Sequence, residues 1–101
     1  MVKINWTNLA LQDLDDIGEY ISKDSVRYAE LTVQHLFDSV DILKSHPKAG
    51  RIVPEFDLED LRELIRGSYR IVYKIISKSR IDILTVHHSA RLLSNSPLFE
   101  E

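Results

Sequence analysis

Two apolar stripes with helical spacing, separated by only a few residues, constrain the fold of this chain more than any other feature. Apolar residues recur at spacings of four, three and four in the first stripe, and of four, three, four and three in the second. The connection at residues 22–25 is so short that the two helices must lie roughly antiparallel, as an αα-hairpin. The stripes are Ala10, Leu14, Ile17 and Ile21 in the first helix, and Ala29, Val33, Leu36, Val40 and Leu43 in the second.

Capping and breaking residues mark the ends of these helices. Thr7 is a suitable N-cap for the first helix, and Asp24 or Ser25 for the second. His46 and Pro47 predict where the second helix stops. Polar side chains fill much of the remaining surface of the first helix and predict an acidic outer face: Gln12, Asp13, Asp15, Asp16 and Glu19.

The second half of the chain predicts the sheet on which the hairpin packs. It contains β-branched and aromatic runs separated by short turns at Gly67-Ser68 and at residues 77–79, so the strands are expected to be antiparallel neighbours. A short run near the N-terminus predicts an edge strand. The predicted strands are residues 2–6, 62–66, 69–76 and 81–88. The fold class is therefore α+β: an N-terminal edge strand, an αα-hairpin and an antiparallel meander that closes one core.

Alternation along the middle strand assigns its two faces. Tyr69, Ile71, Tyr73 and Ile75 share one face, which is expected to pack against the hairpin. The other face carries Arg70 and Lys74 beside Val72 and Ile76, so it is expected to stay open to water.

Length and composition limit the kind of protein. The 101 residues predict a single domain, residues 1–101, whose last ten (92–101) form a short terminal helix or a tail. Without cysteine there is neither a disulfide framework nor a thiolate metal site, and we expect no metal and no cofactor. No apolar run has the length of a signal peptide core or a membrane span, which predicts a cytoplasmic protein without a membrane partner.

Charge is distributed unevenly along the chain. Residues 1–43 carry three basic and eight acidic side chains (net −5), whereas residues 44–91 carry ten basic and six acidic (net +4). This asymmetry indicates either an anion-facing surface on one side of the fold or scattered, solvated charge.

Two candidate clusters lie before and within the predicted sheet. Arg51 and Glu55 flank a short extended piece in residues 50–55, which could equally be a surface turn. Arg62, Arg66 and Arg70 lie on adjacent strands and together could bind phosphate or a carboxylate-rich partner. Alternatively, Glu63 and the acidic loop at residues 56–60 neutralise them.

A third cluster ends the last strand. His87 and His88 are adjacent in a strand, so they should point to opposite faces and not share a metal ion. Either histidine, near Arg91, could be a general acid or base, although a structural histidine is the plainer interpretation. Metal-independent cleavage of RNA needs a base, a cation and an acid, and Glu55, Arg70 and one histidine could fill those roles.

The order of these motifs resembles the RelE/ParE superfamily of toxins from bacterial type II toxin-antitoxin systems. The resemblance implies a helical hairpin on a curved antiparallel sheet. It also implies an antitoxin that wraps the toxin, so that the toxin meets operator DNA only through the antitoxin. Two targets follow from it: mRNA at the ribosome for RelE-like members, or DNA gyrase for ParE-like members. The matching residues are Trp6, Ala10, Leu14, Ile17, Tyr20-Ile21, the Gly50 to Glu55 stretch, Arg62-Glu63-Leu64, Tyr69 to Tyr73, and His88 with Arg91.

Compared residue by residue, some matches favour mRNA cleavage and others favour DNA gyrase as the target. Arg70 matches the phosphate-gripping arginine of RNA-cutting members, but Leu61 and Glu63 stand where RelE has lysines. Glu55 and His87 or His88 are loose counterparts of the acid and base in a related RNA-cutting subgroup. If the chain is a nuclease, we therefore expect the catalytic residues to be Glu55, Arg70, His87, His88 and Arg91.

The closing strand favours the ParE-like interpretation slightly. Its apolar run ends in a pattern similar to the His-Gly-x-Arg of ParE-like toxins, with Ser89 in place of the glycine. A non-toxic binding module or corepressor derived from the family is the third possibility. In each case an antitoxin is the expected partner, contacting Arg51, Arg62, Arg66, Arg70 and Tyr73.

Overall fold

The computed structural model describes residues 2–89, so the expected terminal segment 92–101 and the candidate Arg91 lie outside the described residues. The described part holds two α-helices, a 3₁₀ helix and five strands, and neither α-helix has the length and apolarity to cross a membrane. The elements are β1 (Lys3–Trp6), α1 (Asn8–Ser22), α2 (Val26–Asp38), the 3₁₀ helix (Ser39–Lys44), β2 (Arg51–Ile52), β3 (Leu61–Arg66), β4 (Tyr69–Ser77) and β5 (Arg80–His88). All four predicted strands are confirmed to within one residue at each end.

The predicted caps begin both helices. The Thr7 hydroxyl accepts a hydrogen bond from the Ala10 amide at 3.3 Å, and the Ser25 hydroxyl accepts one from the Tyr28 amide at 3.1 Å. Ser25, and not Asp24, is therefore the N-cap of α2. Such caps typically stabilise a helix by about 1 kcal/mol.

The second helix is shorter than predicted. The α-helical pattern was expected to continue to His46 and Pro47, but the chain tightens into the 3₁₀ helix after Asp38. In a 3₁₀ helix, residues three apart project in the same direction. Val40 and Leu43 have this spacing and are both buried, so the tighter turn keeps the end of the apolar stripe facing the core.

The five strands form one sheet in the order β1-β5-β4-β3-β2, with β1 and β2 at its edges. The antiparallel meander of β3, β4 and β5 and the edge position of β1 are confirmed. The edge strand β1 pairs with β5 in parallel, Lys3 opposite Arg80 and Trp6 opposite Ile83. The helical hairpin and the 3₁₀ helix connect β1 to β2, which is at the opposite edge of the sheet.

The main core lies between the hairpin and one face of the sheet, which we call the first face. Ile71 and Tyr73 of β4 are fully buried there, and Tyr69 and Ile75 pack at its margin, as the alternation predicted. The hairpin contributes Ala10, Leu14, Leu36, Val40 and Leu43.

The opposite or second face of the sheet is less open than predicted. Val53 and Phe56, from the connection between β2 and β3, pack over Leu61, Val72 and Leu84 as a second apolar cluster. An irregularity in the pairing of β4 with β5 provides room for it: Val72 lies opposite Thr85 but Tyr73 lies opposite Ile83, so Leu84 is an extra residue in β5. The expectation that the second face stays open was wrong for this part of the sheet, because the connection folds back across it.

Candidate functional site

Arg70 is the centre of an ionic network on the second face. Its Nη1 and Nη2 donate to the two carboxylate oxygens of Glu55 at 2.7 and 2.9 Å, and its Nε donates to Glu63 Oε1 at 2.7 Å. The other oxygen of Glu63 accepts from Arg51 Nε at 2.6 Å. The network thus ties β2, β3 and β4 to the segment that covers the second face.

The centre of the network is buried, and the charges of its described residues balance. Arg70 and Glu63 are both buried, and the two arginines are matched by two carboxylates. The hydrogen bonds that Arg70 donates to Glu55, and then those to Glu63, raise the pKa of Arg70 further above its ordinary value, although burial opposes the charge. Removing one partner from a fully buried pair such as Arg70 and Glu63 typically costs about 3–5 kcal/mol. Arg70 could hold a phosphate only by giving up Glu55.

The two histidines point to opposite faces, as predicted. His87 is buried and lies opposite Arg70 in the β4–β5 pairing, which places it on the second face. His88 lies opposite Tyr69, is exposed, and meets the edge of that ring with 5.9 Å between ring centroids. Of the predicted catalytic residues, the structure brings Glu55, Arg70 and His87 together and leaves His88 on the other side of the sheet.

The expected cluster of three arginines is not present. Arg62 and Arg66 lie opposite Tyr73 and Tyr69 on the first face, whereas Arg70 lies on the second. Arg62 donates to the carbonyl oxygens of Glu59 and Gly50, and Arg66 to that of Ile65. The register of the β3–β4 pairing separates them. The β3 residue opposite Arg70 is an odd number of positions from both Arg62 and Arg66, and such residues face opposite sides of the sheet.

Tyr73 is completely buried, which disagrees with the partner-binding role expected of it. Its hydroxyl donates to the carbonyl of Pro47 at 2.7 Å and accepts from the amide of Gly50 at 2.9 Å. Burial raises the pKa of this phenol. A Cβ at Gly50 would lie 2.5 Å from the carbonyl oxygen of Glu63, so only glycine allows this close approach. Tyr73 is an anchor for the segment after the 3₁₀ helix.

A groove along the hairpin, whose exposed helical residues the sequence analysis did not name, lies between α2 and the β3–β4 turn. We call it the hairpin groove, and its volume is about 370 Å³. Tyr28 and Leu31 on its helical wall are 62% and 56% exposed. Their spacing, continued by His35, marks a second stripe on α2 that could have been found in the sequence. The lining residues are Tyr28, Leu31, Thr32, His35, Leu36, Arg66, Gly67, Ser68 and Tyr69.

A second missed residue is Asp13, which holds the end of β5. Its carboxylate accepts hydrogen bonds from the Thr85 hydroxyl and from the Val86 amide. The edge strand β1 pairs with β5 only as far as Ile83, so Asp13 takes the place of a strand partner beyond that point. Asp13, which the sequence analysis assigned to the acidic outer face of α1, thus has a structural role.

Comparison with known proteins gives consistent results. The family described as "ParE toxin of type II toxin-antitoxin system, parDE" matches residues 4–93. Y4kP of Sinorhizobium fredii, named as a candidate toxin, is 37% identical over 86% of this chain and 88% of its own length. Toxin RelE2 of Caulobacter vibrioides is 29% identical over 91% of this chain and 100% of its own length.

Solved structures agree with these relatives. The chromosomal ParDE toxin-antitoxin system of Pseudomonas aeruginosa contains a chain that is 25% identical, with a TM-score of 0.71 and coverage of 87% of this chain and 96% of that one. The toxin-antitoxin complex RelBE2 of Mycobacterium tuberculosis contains one that is 23% identical, with a TM-score of 0.54 and coverage of 86% and 96%, a likeness of fold alone. With the α+β fold and the motif order described above, these matches show that the chain is a toxin of a type II toxin-antitoxin system and belongs to the ParE toxin family.

Proposed function

We propose that this toxin acts as a ParE-like poison of DNA gyrase and not as a nuclease. One observation carries the proposal: the guanidinium of Arg70 is already bound on three nitrogens by Glu55 and Glu63. Arg70 is the residue that would grip the phosphate in an RNA-cutting relative. A phosphate approaching it would meet the Glu55 carboxylate first, and like charges repel in a partly desolvated site.

The runner-up is an mRNA endonuclease, and a specific arrangement favours it. Glu55, Arg70 and His87 share the second face, so a base, a cation and an acid lie on the same side of the sheet. Against it, Arg70 and His87 are buried and the charges of the described network residues balance, whereas a phosphate site needs accessible positive charge. The ion network therefore accounts better for structure than for catalysis.

Substitutions at residues on the second face can distinguish a gyrase poison from a nuclease. General acids and bases typically contribute about 10²- to 10⁴-fold each to a rate, so a nuclease should lose its toxicity in Glu55→Gln and in His87→Gln. A gyrase poison acts by binding, so we expect both variants to stop growth when strongly expressed. His88→Gln, on the first face, is the matched control. The measurements are gyrase supercoiling in vitro and the mapping of mRNA 5′ ends in expressing cells.

Inhibited supercoiling, DNA damage signalling and unchanged mRNA ends are the expected results. Ribosome-dependent mRNA cuts that disappear in Glu55→Gln or His87→Gln, with normal supercoiling, would establish the nuclease instead. Charge reversal at Arg91 is expected to abolish poisoning. Charge reversal at Arg70 should do so too, through loss of the fold, because it would bury a third carboxylate beside Glu55 and Glu63.

We also propose that the antitoxin occupies the hairpin groove. Tyr28 and Leu31 are large exposed apolar side chains on one wall, and Arg66 and His35 add basic groups beside them. An amphipathic helix with acidic residues beside its apolar stripe fits such a groove. The alternative antitoxin site is the second face of the sheet. Leu58 and Ile65 are exposed apolar side chains there, but Arg70 is buried.

Two leucines of matched exposure distinguish these placements. Leu31 in the groove is 56% exposed, and Leu58 over the second face is 58% exposed. We expect Leu31→Asp to weaken antitoxin binding by about 2 kcal/mol or more, the effect of losing a central interface contact, and Leu58→Asp to have little effect. The reverse order, measured by calorimetry with the protein encoded beside the toxin gene, would place the antitoxin on the second face.

A further inference from the structure

A second groove lies at the far end of the same face of the molecule. We call it the turn-end groove. Its volume is about 710 Å³, within the range of roughly 300–1,000 Å³ that is usual for binding pockets. Its floor is apolar, made by Ile42, Pro47 and Ile75, and its rim is basic. The lining residues are Ile42, His46, Pro47, Lys48, Ala49, Ile75, Ser77 and Lys78.

Each groove is bounded by β4 on one side and by α2 or the following 3₁₀ helix on the other, and we call the surface between the two grooves the seam. Tyr69 lines the hairpin groove and Ile75 lines the turn-end groove, and both project from the first face of β4. On the helical side, Leu31 and Ile42 are separated by ~18 Å at the usual rises of about 1.5 Å per residue in an α-helix and 2.0 Å in a 3₁₀ helix. A segment of about six extended residues would bridge that distance.

Basic side chains follow the seam from one groove to the other. Arg62 lies between them, because it pairs with Tyr73 in the sheet and its guanidinium donates to the carbonyl of Gly50 at 3.0 Å. Lys48 carries the ion pair with Glu59, an exposed contact that contributes little to stability. The basic groups are Arg66 and His35 in the hairpin groove, Arg62 between the grooves, and His46, Lys48 and Lys78 in the turn-end groove.

We infer that the turn-end groove is a second docking site for the antitoxin, which takes a short apolar segment flanked by acidic residues. The inference rests on the antitoxin placement proposed above and extends it: one partner segment occupies the hairpin groove, crosses Arg62 and ends in the turn-end groove. Complementary charge along the whole seam and an apolar pocket at each end fit a single acidic chain, which binds two linked sites more tightly than either alone.

The test compares matched substitutions in the full toxin, titrated with the purified protein encoded beside the toxin gene. Ile42→Asp places a charge in the turn-end groove, and Leu11→Asp is its control, since Ile42 is 45% exposed and Leu11 is 43% exposed on α1. Lys78→Glu reverses a charge on the rim, and Lys74→Glu is its control on the second face of β4. We expect Ile42→Asp and Lys78→Glu each to weaken binding about tenfold or more and the controls to change it little.

Neutralisation in cells gives a second measurement. Both groove variants should remain toxic alone and be poorly neutralised by co-expression of the partner.

If Leu31→Asp weakens binding but Ile42→Asp and Lys78→Glu do not, the second site is wrong and the hairpin-groove placement stands. If the three variants bind normally, both placements fail. Loss of toxicity with unchanged partner affinity would mark the turn-end groove as a surface for the toxin's target and overturn the inference. If Ile42→Asp does not fold, Lys78→Glu on the exposed rim decides.

Discussion

At the scale of single residues, Tyr73 shows how one hydroxyl group can hold a long connection in place. The segment from the 3₁₀ helix to β2 has few backbone partners, and Tyr73 binds it at both Pro47 and Gly50. Gly50 allows the approach because any side chain there would overlap the backbone of β3. Tyr73 and Gly50 therefore depend on each other, although they are far apart in the chain.

Tyr73→Phe should lower stability in a way that depends on pH. At neutral pH we expect the free energy of unfolding to fall by about 1–3 kcal/mol, since the Gly50 amide loses a buried partner. Burial raises the pKa of Tyr73 above its ordinary value of 10.0, so its contribution is present below that pH and is lost as pH rises through the folded value. The gap between wild type and Tyr73→Phe should narrow above pH 10 in urea unfolding. A constant gap would contradict this account.

Glu63 and Glu55 should differ in their effect on stability although both bind Arg70. The Glu63 side chain is fully buried and binds Arg51 and Arg70, whereas the Glu55 side chain, which also binds Arg70, is 26% exposed. We expect Glu63→Gln to cost about 3–5 kcal/mol, as for a broken buried pair. Glu55→Gln should cost about 1 kcal/mol, because water can replace part of the lost interaction. Equal losses in thermal unfolding would mean that the exposure of Glu55 does not reduce the cost of losing it.

At the scale of elements, the β3–β4 hairpin depends on the conformation of its turn. Gly67 has a φ of +58°, a left-handed conformation that most residues avoid, and nothing crowds the position of a Cβ. Gly67→Ala should therefore destabilise by about 1 kcal/mol through backbone strain alone. Gly67→Asn is the control, since asparagine tolerates this conformation better. If both variants unfold at the same temperature as wild type, the turn is not strained.

At the scale of the whole molecule, the charge asymmetry of the chain corresponds to surfaces. The acidic residues of α1 lie on the exposed side of the hairpin, except Asp13, while basic residues of the second half follow the seam between the two grooves. An acidic partner would be attracted to the seam and repelled by the outer hairpin. This distribution accounts for how a chain of net charge −3 can present a basic docking surface.

The toxin as a whole should arrest growth when it is expressed alone, and the protein encoded beside it should relieve the arrest. The family to which the chain belongs is the reason for this expectation. Gly50→Val, which cannot be accommodated beside Glu63 and Tyr73, is the fold-defective control in a plate assay. Normal growth while folded wild-type protein accumulates would instead identify a non-toxic binding module or corepressor.

The sequence alone determined most elements of this protein, though not the 3₁₀ helix or β2, and tertiary structure decided its surfaces. Helix stripes, caps and turns depend on neighbours a few residues away, so the hairpin, the strands and their faces were predictable, as was the separation of His87 from His88. The parallel pairing of β1 with β5, the extra residue Leu84 in β5 and the segment that covers the second face depend on residues far apart in the chain. These long-range contacts bury Arg70 and Tyr73, both expected to contact a partner, and leave Tyr28 and Leu31 exposed beside Arg66. Only the packed structure shows which charged groups are matched internally and which remain for a partner, because that depends on distances between elements and not on the order of residues.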